Sequence, residues 1–230
     1  VITLKFVVLD SYALNPGDLS WDWLECLGEC EIYHRTPNDK ILERCQGAEI
    51  VLTNKTPLTA ETLEKLSDLK YIALLSTGYN IVDCDYAKSR GIPVSNIPAY
   101  STNAVAQQVF AYILHHYSRV SEYNDFVQDS GWINSSTFAP FVFDSDELFG
   151  KTIGLVGYGK IGKAVAKIAN AFGMNILVYT RSYGKALEAS KNSRGEIDRT
   201  MLDGFLNHTD TFVSYVSLDN LLKHSDIVSV

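Results

Sequence analysis

Three glycines at a fixed spacing, Gly157, Gly159 and Gly162, constrain the fold of this chain more than any other feature. An apolar stretch typical of a strand (Thr152–Val156) ends directly before them, and a stretch with helical periodicity (Ile161–Phe172) begins among them. In this setting Gly157 allows a tight turn, Gly159 lets a ligand approach the backbone, and Gly162 lets the helix pack closely on the strand. The pattern therefore predicts a strand–turn–helix unit that binds a dinucleotide, rather than a glycine-rich turn with only a structural role.

The backbone at Lys160 and Ile161 is the predicted contact for the phosphates of that dinucleotide. Both residues stand at the start of the predicted helix, where N–H groups have no acceptor within the helix and the helix dipole is positive. Anions bind readily at such a helix N-terminus. We therefore place Lys160 and Ile161 in the predicted cofactor site together with the three glycines.

The residues after the next predicted strand, Asn175–Tyr179, bear on the choice of cofactor. They are Thr180, Arg181 and Ser182, whereas a site selective for NAD usually carries Asp or Glu here to accept hydrogen bonds from the ribose 2′-hydroxyl. Without that carboxylate a 2′-phosphate is not repelled, and a charge-assisted contact with Arg181 is worth about 1.5–3 kcal/mol. We expect an NAD(P) site that prefers NADP; the alternative is that Arg181 is a solvated residue at a strand end.

Short β-rich runs alternate with helical patterns along the chain. This alternation predicts the α/β class, with parallel sheets covered by helices on both faces. In the first half the predicted strands are Leu4–Leu9, Glu31–Tyr33, Glu49–Leu52, Tyr71–Leu75 and Val94–Asn96, and the predicted helices are Trp21–Leu27, Asn38–Cys45, Thr59–Leu66 and Cys84–Ser89.

The second half contains longer and less regular segments. A helix is predicted over Thr102–Ser118, and an irregular, aromatic-rich segment over Tyr123–Phe149. Tyr183–Asp210 lacks clean periodicity and is interpreted as a surface insertion with one short helix. A helix over Leu218–His224 and a strand over Asp226–Val230 follow, and because a predicted central strand then stands at the chain's end, we expect the second domain to be truncated.

The net charge and the cysteines indicate which partners and which cellular compartment to expect. A formal net charge of −7 does not favour binding to nucleic acid or to an anionic membrane, since both bind positively charged protein surfaces. The opening residues VITLKFVVLD are too short an apolar run for a membrane span and do not read as a signal peptide, so the four cysteines are expected to be free thiols in a cytoplasmic protein. Cys26, Cys30 and His34 are evenly spaced, but they fall on different predicted elements and lack a fourth ligand, so no metal site is predicted.

Several stretches of the sequence together resemble one enzyme family. They are Leu9–Trp21, Leu52–Leu58, Ser76–Asn80, Ile97–Gln107 and Ser225–Val230, taken with the glycine motif. Their joint pattern is similar to that of the D-isomer-specific 2-hydroxyacid dehydrogenases, and most similar to the glycerate dehydrogenase (hydroxypyruvate reductase) branch. The resemblance covers almost the whole chain.

The resemblance implies a two-domain oxidoreductase with its active-site cleft between the domains. Residues 1–101 would form a flavodoxin-like substrate domain, and residues 102–230 a Rossmann-like, doubly wound dinucleotide-binding domain. The implied reaction transfers a hydride between a nicotinamide cofactor and a small 2-keto or 2-hydroxy acid, with hydroxypyruvate or glyoxylate giving D-glycerate or glycolate. A homodimer is implied as well, and the alternative function is a dinucleotide-sensing corepressor of the same family.

The resemblance also assigns substrate contacts. Backbone amides of Thr77, Gly78 and Tyr79 would hold the substrate carboxylate, which suits a loop at the carboxyl end of a strand where Gly78 permits close backbone approach. Lys55, after a neighbouring strand, is expected either to add positive charge or to be a solvated loop lysine. Thr102 matches a position near the nicotinamide, and N-capping of the long helix is its alternative role.

The catalytic residues of the family have no match in this chain. The family's catalytic Arg, its Glu or Asp, and its His follow the strand at which this chain stops. None of the five histidines matches that His in motif or order; they are His34, His115, His116, His208 and His224. The catalytic residues are therefore unknown, and the 230-residue polypeptide by itself is expected to be inactive or nearly so.

Overall fold

The computed structural model describes residues 4–12, 14–189 and 212–230. The chain divides into two compact units, unit 1 (Val1–Tyr100) and unit 2 (Ser101–Val230). Within the described ranges, no helix combines the length and the hydropathy that a membrane crossing requires.

Unit 1 is built on a five-stranded parallel sheet with the strand order β2-β1-β3-β4-β5. This is the order of flavodoxin-like folds, so the predicted α/β architecture is confirmed. The strands are β1 (Leu4–Val8), β2 (Gly28–Ile32), β3 (Ile50–Thr53), β4 (Tyr71–Leu74) and β5 (Val94–Ser95), and the helices are α1 (Asp22–Glu25), a 3₁₀ turn (Asn38–Lys40), α2 (Ile41–Arg44), α3 (Ala60–Glu64) and α4 (Cys84–Ser89).

Alternation along the strands gives the unit 1 sheet two apolar faces. Val7 and Leu9 pack into the larger core with residues of α2, α3 and α4, while Phe6 and Val8 pack on the opposite face against Leu24 of α1. Cys45 lies in the larger core, where burial raises the pKa of its thiol to about 12. This cysteine is therefore a packing residue and not a reactive one.

Unit 2 contains a four-stranded parallel sheet with the order β8-β7-β6-β9. Counted from its own first strand, this order is 3-2-1-4, the arrangement of Rossmann-like sheets. Its strands are β6 (Thr152–Val156), β7 (Asn175–Tyr179), β8 (Ser214–Tyr215) and β9 (Ile227–Ser229), and its helices are α5 (Thr102–Ser118), α6 (Val120–Gln128), α7 (Lys160–Ala171), α8 (Arg181–Ala189) and α9 (Leu218–His224).

The structure corrects the prediction for one segment of unit 2 and adds detail to another. The irregular segment predicted over Tyr123–Phe149 is wrong in its first part, because α6 runs to Gln128. Arg119 adopts a left-handed conformation (φ 51°) that ends α5 and lets α6 start in a new direction. In the predicted insertion at Tyr183–Asp210, α8 covers the first residues, which agrees with the one short helix predicted there; residues 190–211 lie outside the described ranges.

Candidate functional site

A cavity of about 680 Å³ opens at the carboxyl ends of β6, β7 and β8. Open parallel sheets bind ligands at this edge. Five of the residues predicted for the cofactor site line it, namely Gly157, Gly159, Thr180, Arg181 and Ser182. The remaining lining residues are Val156, Tyr158, Lys163, Tyr179, Tyr183 and Tyr215.

The three glycines differ in what surrounds them. Gly157 has a φ of +116°, a conformation that side chains disfavour, so the turn after β6 requires glycine. A Cβ added at Gly159 would have no heavy atom within 4 Å, whereas one added at Gly162 would lie 2.4 Å from the Gly157 carbonyl oxygen. Gly159 therefore leaves space for a ligand, and Gly162 allows the start of α7 to pack against the turn.

Lys160 and Ile161 are the first two residues of α7, and neither is among the residues that line the cavity. The N-cap of α7 is Gly159, which does line it, so the amino end of this helix begins at the cavity wall. Thr102 is the first residue of α5 and does not line the cavity either; Ser101, directly before it, makes no side-chain cap hydrogen bond.

Thr180 connects β7 to α8 and caps that helix. Its Oγ1 accepts a hydrogen bond from the Tyr183 backbone N–H at 3.0 Å, and Arg181 and Ser182 form the exposed first turn of α8. No helix start was predicted here from the sequence, although a threonine directly before Arg181 is an ordinary N-cap signal. As a result, all three residues predicted to choose the cofactor lie at one helix N-terminus on the cavity wall.

One wall of this cavity is formed by tyrosines, and this feature was not predicted from the sequence. The Tyr158 and Tyr215 rings meet edge to face at 5.9 Å between centroids, and the Tyr183 and Tyr215 centroids are 5.6 Å apart. Burial raises the pKa of Tyr183, so its hydroxyl remains protonated and donates to the Tyr215 carbonyl oxygen at 3.3 Å. The Lys163 ammonium lies 5.6 Å from the centroid of Tyr158. Of the described residues that line the cavity, two are basic and none is acidic.

The loop predicted to hold the substrate carboxylate follows β4 in unit 1. Thr77, Gly78 and Tyr79 are all exposed there, and a Cβ added at Gly78 would meet only the Asn80 side-chain oxygen, at 3.5 Å. Lys55 is exposed in the loop after β3, the strand that pairs with β4. The structure therefore brings these four residues to the same edge of the sheet.

Asp10, after β1, organises the neighbouring loop, a role that was not predicted from the sequence. It is buried, and its carboxylate accepts hydrogen bonds from the backbone N–H groups of Asn54 (2.7 Å), Lys55 and Thr56 (2.9 Å). Such charge-assisted bonds to backbone are among the strongest that a protein makes. Asp10 therefore fixes the backbone that carries Lys55. No local pattern indicates this, because the partners are more than forty residues apart.

We expect Asp10→Asn to lower the free energy of unfolding by about 2–3 kcal/mol, since the new amide NH₂ would face backbone N–H donors that the carboxylate now satisfies. Urea denaturation of the full-length protein measures this. Hydrogen exchange of the amides at residues 54–56 should accelerate in the variant. Asp18→Asn, at an exposed loop residue, is the matched control, and an equal effect of both substitutions would contradict the assigned role.

Comparisons with known proteins find similarity over most of the chain. A profile of the family described as D-isomer specific 2-hydroxyacid dehydrogenase, catalytic domain, matches residues 8–214. A solved structure of an acyclic imino acid reductase in complex with NADPH and D-Arg superposes with a TM-score of 0.69 at 28% identity, covering 98% of this chain and 64% of that one.

Two relatives are similar in sequence. A hydroxypyruvate reductase of Blautia hydrogenotrophica is 40% identical over 230 residues, which are 99% of this chain and 65% of the relative. A glycerate dehydrogenase of Methylorubrum extorquens is 40% identical over 178 residues, 77% of this chain and 56% of the relative. The chain thus spans less than two thirds of the length of either relative.

Proposed function

The chain belongs to the D-isomer specific 2-hydroxyacid dehydrogenase family, and we propose that its protein transfers a hydride between a nicotinamide cofactor and a small 2-keto or 2-hydroxy acid. The observation that carries the proposal is the cavity at Gly157 and Gly159, where the turn requires glycine at one position and leaves open space at the other. A dinucleotide pyrophosphate fits there, beside the amino end of α7.

Each unit has its own part in the proposed reaction. The cofactor, when bound, supplies the hydride that goes to the keto carbon, while a proton goes to the keto oxygen to give the 2-hydroxy acid. In unit 2, backbone N–H groups at Lys160 and Ile161 orient the pyrophosphate. In unit 1, backbone N–H groups of Thr77, Gly78 and Tyr79 bind the carboxylate, and Lys55 adds positive charge at the same edge of the sheet.

Hydroxypyruvate is the first substrate to test, with glyoxylate second, and the names of the two relatives support this order. The full-length protein should oxidise NAD(P)H when either acid is added and should release glycerate or glycolate. A protein that binds NAD(P)H but turns over neither acid would overturn the proposal. Neither relative is described as a corepressor, so that alternative has no support from the comparisons.

The cofactor that we propose as preferred is NADP(H). Arg181 and Ser182 stand in the first turn of α8, Thr180 caps that helix, and Lys163 lines the same cavity. A 2′-phosphate would meet two cations and the positive end of a helix dipole there. The solved relative with bound NADPH is consistent with this choice.

We also propose that the protein is a cytoplasmic homodimer. All four cysteines are free, as in proteins of a reducing compartment. Tyr112 on α5 and Phe138 and Phe141 after α6 are 69%, 90% and 97% exposed, which is more aromatic surface than a monomer usually shows to water. A second copy related by a twofold axis would cover this surface on both protomers.

Sedimentation equilibrium of the full-length protein at micromolar concentration is expected to give the mass of a dimer. The double variant Phe138→Glu/Phe141→Glu should shift the mass toward that of the monomer, because it would bury carboxylates in the interface. Trp23→Glu, at an exposed aromatic residue of unit 1, is the control. A monomeric wild type would contradict the proposal.

A further inference from the structure

The loop that follows β4 is tied to the residues that follow β5. The Asn96 side-chain Nδ2 donates a hydrogen bond to the Thr77 carbonyl oxygen at 2.7 Å, and the Thr77 hydroxyl donates to the Ile97 carbonyl oxygen at 2.9 Å. The Ile97 backbone N–H in turn donates to the Ser76 carbonyl oxygen at 3.0 Å. Three bonds therefore hold the start of the loop against the neighbouring edge strand.

These and two further bonds satisfy the carbonyl groups of the loop but leave its N–H groups unused. Besides the Thr77 carbonyl, the Gly78 carbonyl accepts from the Ser76 hydroxyl at 2.8 Å, and the Tyr79 carbonyl accepts from the Val82 N–H at 3.1 Å. In the described part of the chain, the backbone N–H groups of Thr77, Gly78 and Tyr79 have no acceptor. Because these residues are exposed, the three donors are available to a ligand.

The direction of these donors follows from peptide geometry. In a planar trans peptide the C=O and the N–H of the next residue point in opposite directions, and no described peptide bond is cis. Asn96 holds the Thr77 carbonyl, so the Gly78 N–H points away from Asn96. Ser76 holds the Gly78 carbonyl, so the Tyr79 N–H points away from Ser76. The side chains of Asn96 and Ser76 therefore set the directions of the Gly78 and Tyr79 N–H groups.

We propose that Asn96 is a positioning residue for recognition of the substrate carboxylate, acting through the Thr77 carbonyl and not by touching the substrate. The inference rests on the proposed function and adds a residue to it. Donors that are already oriented bind a carboxylate without first reordering the loop, which is the advantage of preorganised sites. Asn96 suits this task because its amide anchors a carbonyl without placing a negative charge near the carboxylate.

The test uses the full-length protein and Asn96→Leu, which keeps a side chain of similar size but removes the donor. We expect KM for hydroxypyruvate to rise about tenfold, the effect of one lost hydrogen bond, with kcat changed less than about threefold and NADPH affinity unchanged. Ser95→Ala, at the residue directly before Asn96, is the matched control. It removes the 2.6 Å hydrogen bond that the Tyr71 hydroxyl donates to Ser95, and it leaves the hydrogen bonds of the loop in place. Asn96→Asp, which sets a carboxylate against the Thr77 carbonyl, should raise KM further.

An unchanged KM in a folded Asn96→Leu protein would overturn the inference, and so would an equal rise in Ser95→Ala. Failure of the proposed function gives a different result, in which the wild type reduces no 2-keto acid. In that case the dissociation constant of oxalate, a carboxylate probe that is not reduced, is measured by calorimetry. A tenfold weakening in Asn96→Leu would still support the positioning role, and equal affinities would refute it.

Discussion

Replacing Gly162 with alanine is expected to lower the free energy of unfolding by about 2–3 kcal/mol, whereas the same change at Gly159 should leave stability within about 1 kcal/mol. The added methyl at Gly162 would lie 2.4 Å from the Gly157 carbonyl oxygen. That oxygen belongs to backbone in a turn with positive φ, so it cannot move aside as a flexible side chain would. The start of α7 would have to lift off the turn.

For cofactor binding we expect the opposite order, with Gly159→Ala weakening the affinity for NADPH. Gly159 lines the cavity and has open space where its Cβ would stand, so Gly159→Ala puts a methyl where the pyrophosphate approaches the backbone. We expect the dissociation constant of NADPH to rise at least tenfold, about 1.4 kcal/mol or more. Thermal unfolding and NADPH fluorescence titration of both full-length variants provide the test. Equal stability losses would show that the two glycines do not have distinct roles.

The parts of the fold that the sequence predicted have local causes. The parallel α/β architecture follows from alternating apolar and amphipathic runs, and helix α4 and strands β6 and β7 have the predicted bounds. The glycine motif predicted the turn because its constraints are local: Gly157 has a positive φ, and Gly162 packs against the Gly157 carbonyl oxygen five positions away. Helix α6 was missed because its start depends on the left-handed backbone of Arg119, which no composition signal marks.

The unpredicted site features depend on residues that are distant in sequence. Asp10 reaches a loop more than forty residues away, and the Asn96 and Thr77 pair is nineteen residues apart. Tyr215 meets Tyr158 and Tyr183 only because β8 pairs with β7. All three contacts depend on which strands are neighbours in the sheet. The patterns of single elements could therefore predict which loops lie at the site, but not which distant side chains contact those loops.

The largest change in cofactor preference is expected from Arg181→Ala. Arg181 is exposed in the first turn of α8 and lines the cavity, and a guanidinium has the planar fork of donors that suits a phosphate. Losing one charge-assisted contact should raise the dissociation constant of NADPH by roughly tenfold to hundredfold. NADH lacks the 2′-phosphate, so its affinity should change less than about threefold. Fluorescence titration and kcat/KM with both cofactors measure the difference.

Lys185→Ala is the matched control, because it removes a positive charge from the same helix at a residue that does not line the cavity. If general electrostatics governed the preference, this control would weaken NADPH as much as Arg181→Ala does. Arg181→Lys keeps the charge but loses the fork, so an intermediate loss is expected if the bidentate geometry matters. Equal losses for NADPH and NADH in Arg181→Ala would show that this residue does not contact the 2′-phosphate. A wild type that favours NADH would reverse the assignment, because neither the cap at Thr180 nor the charge of Lys163 would then select the phosphate.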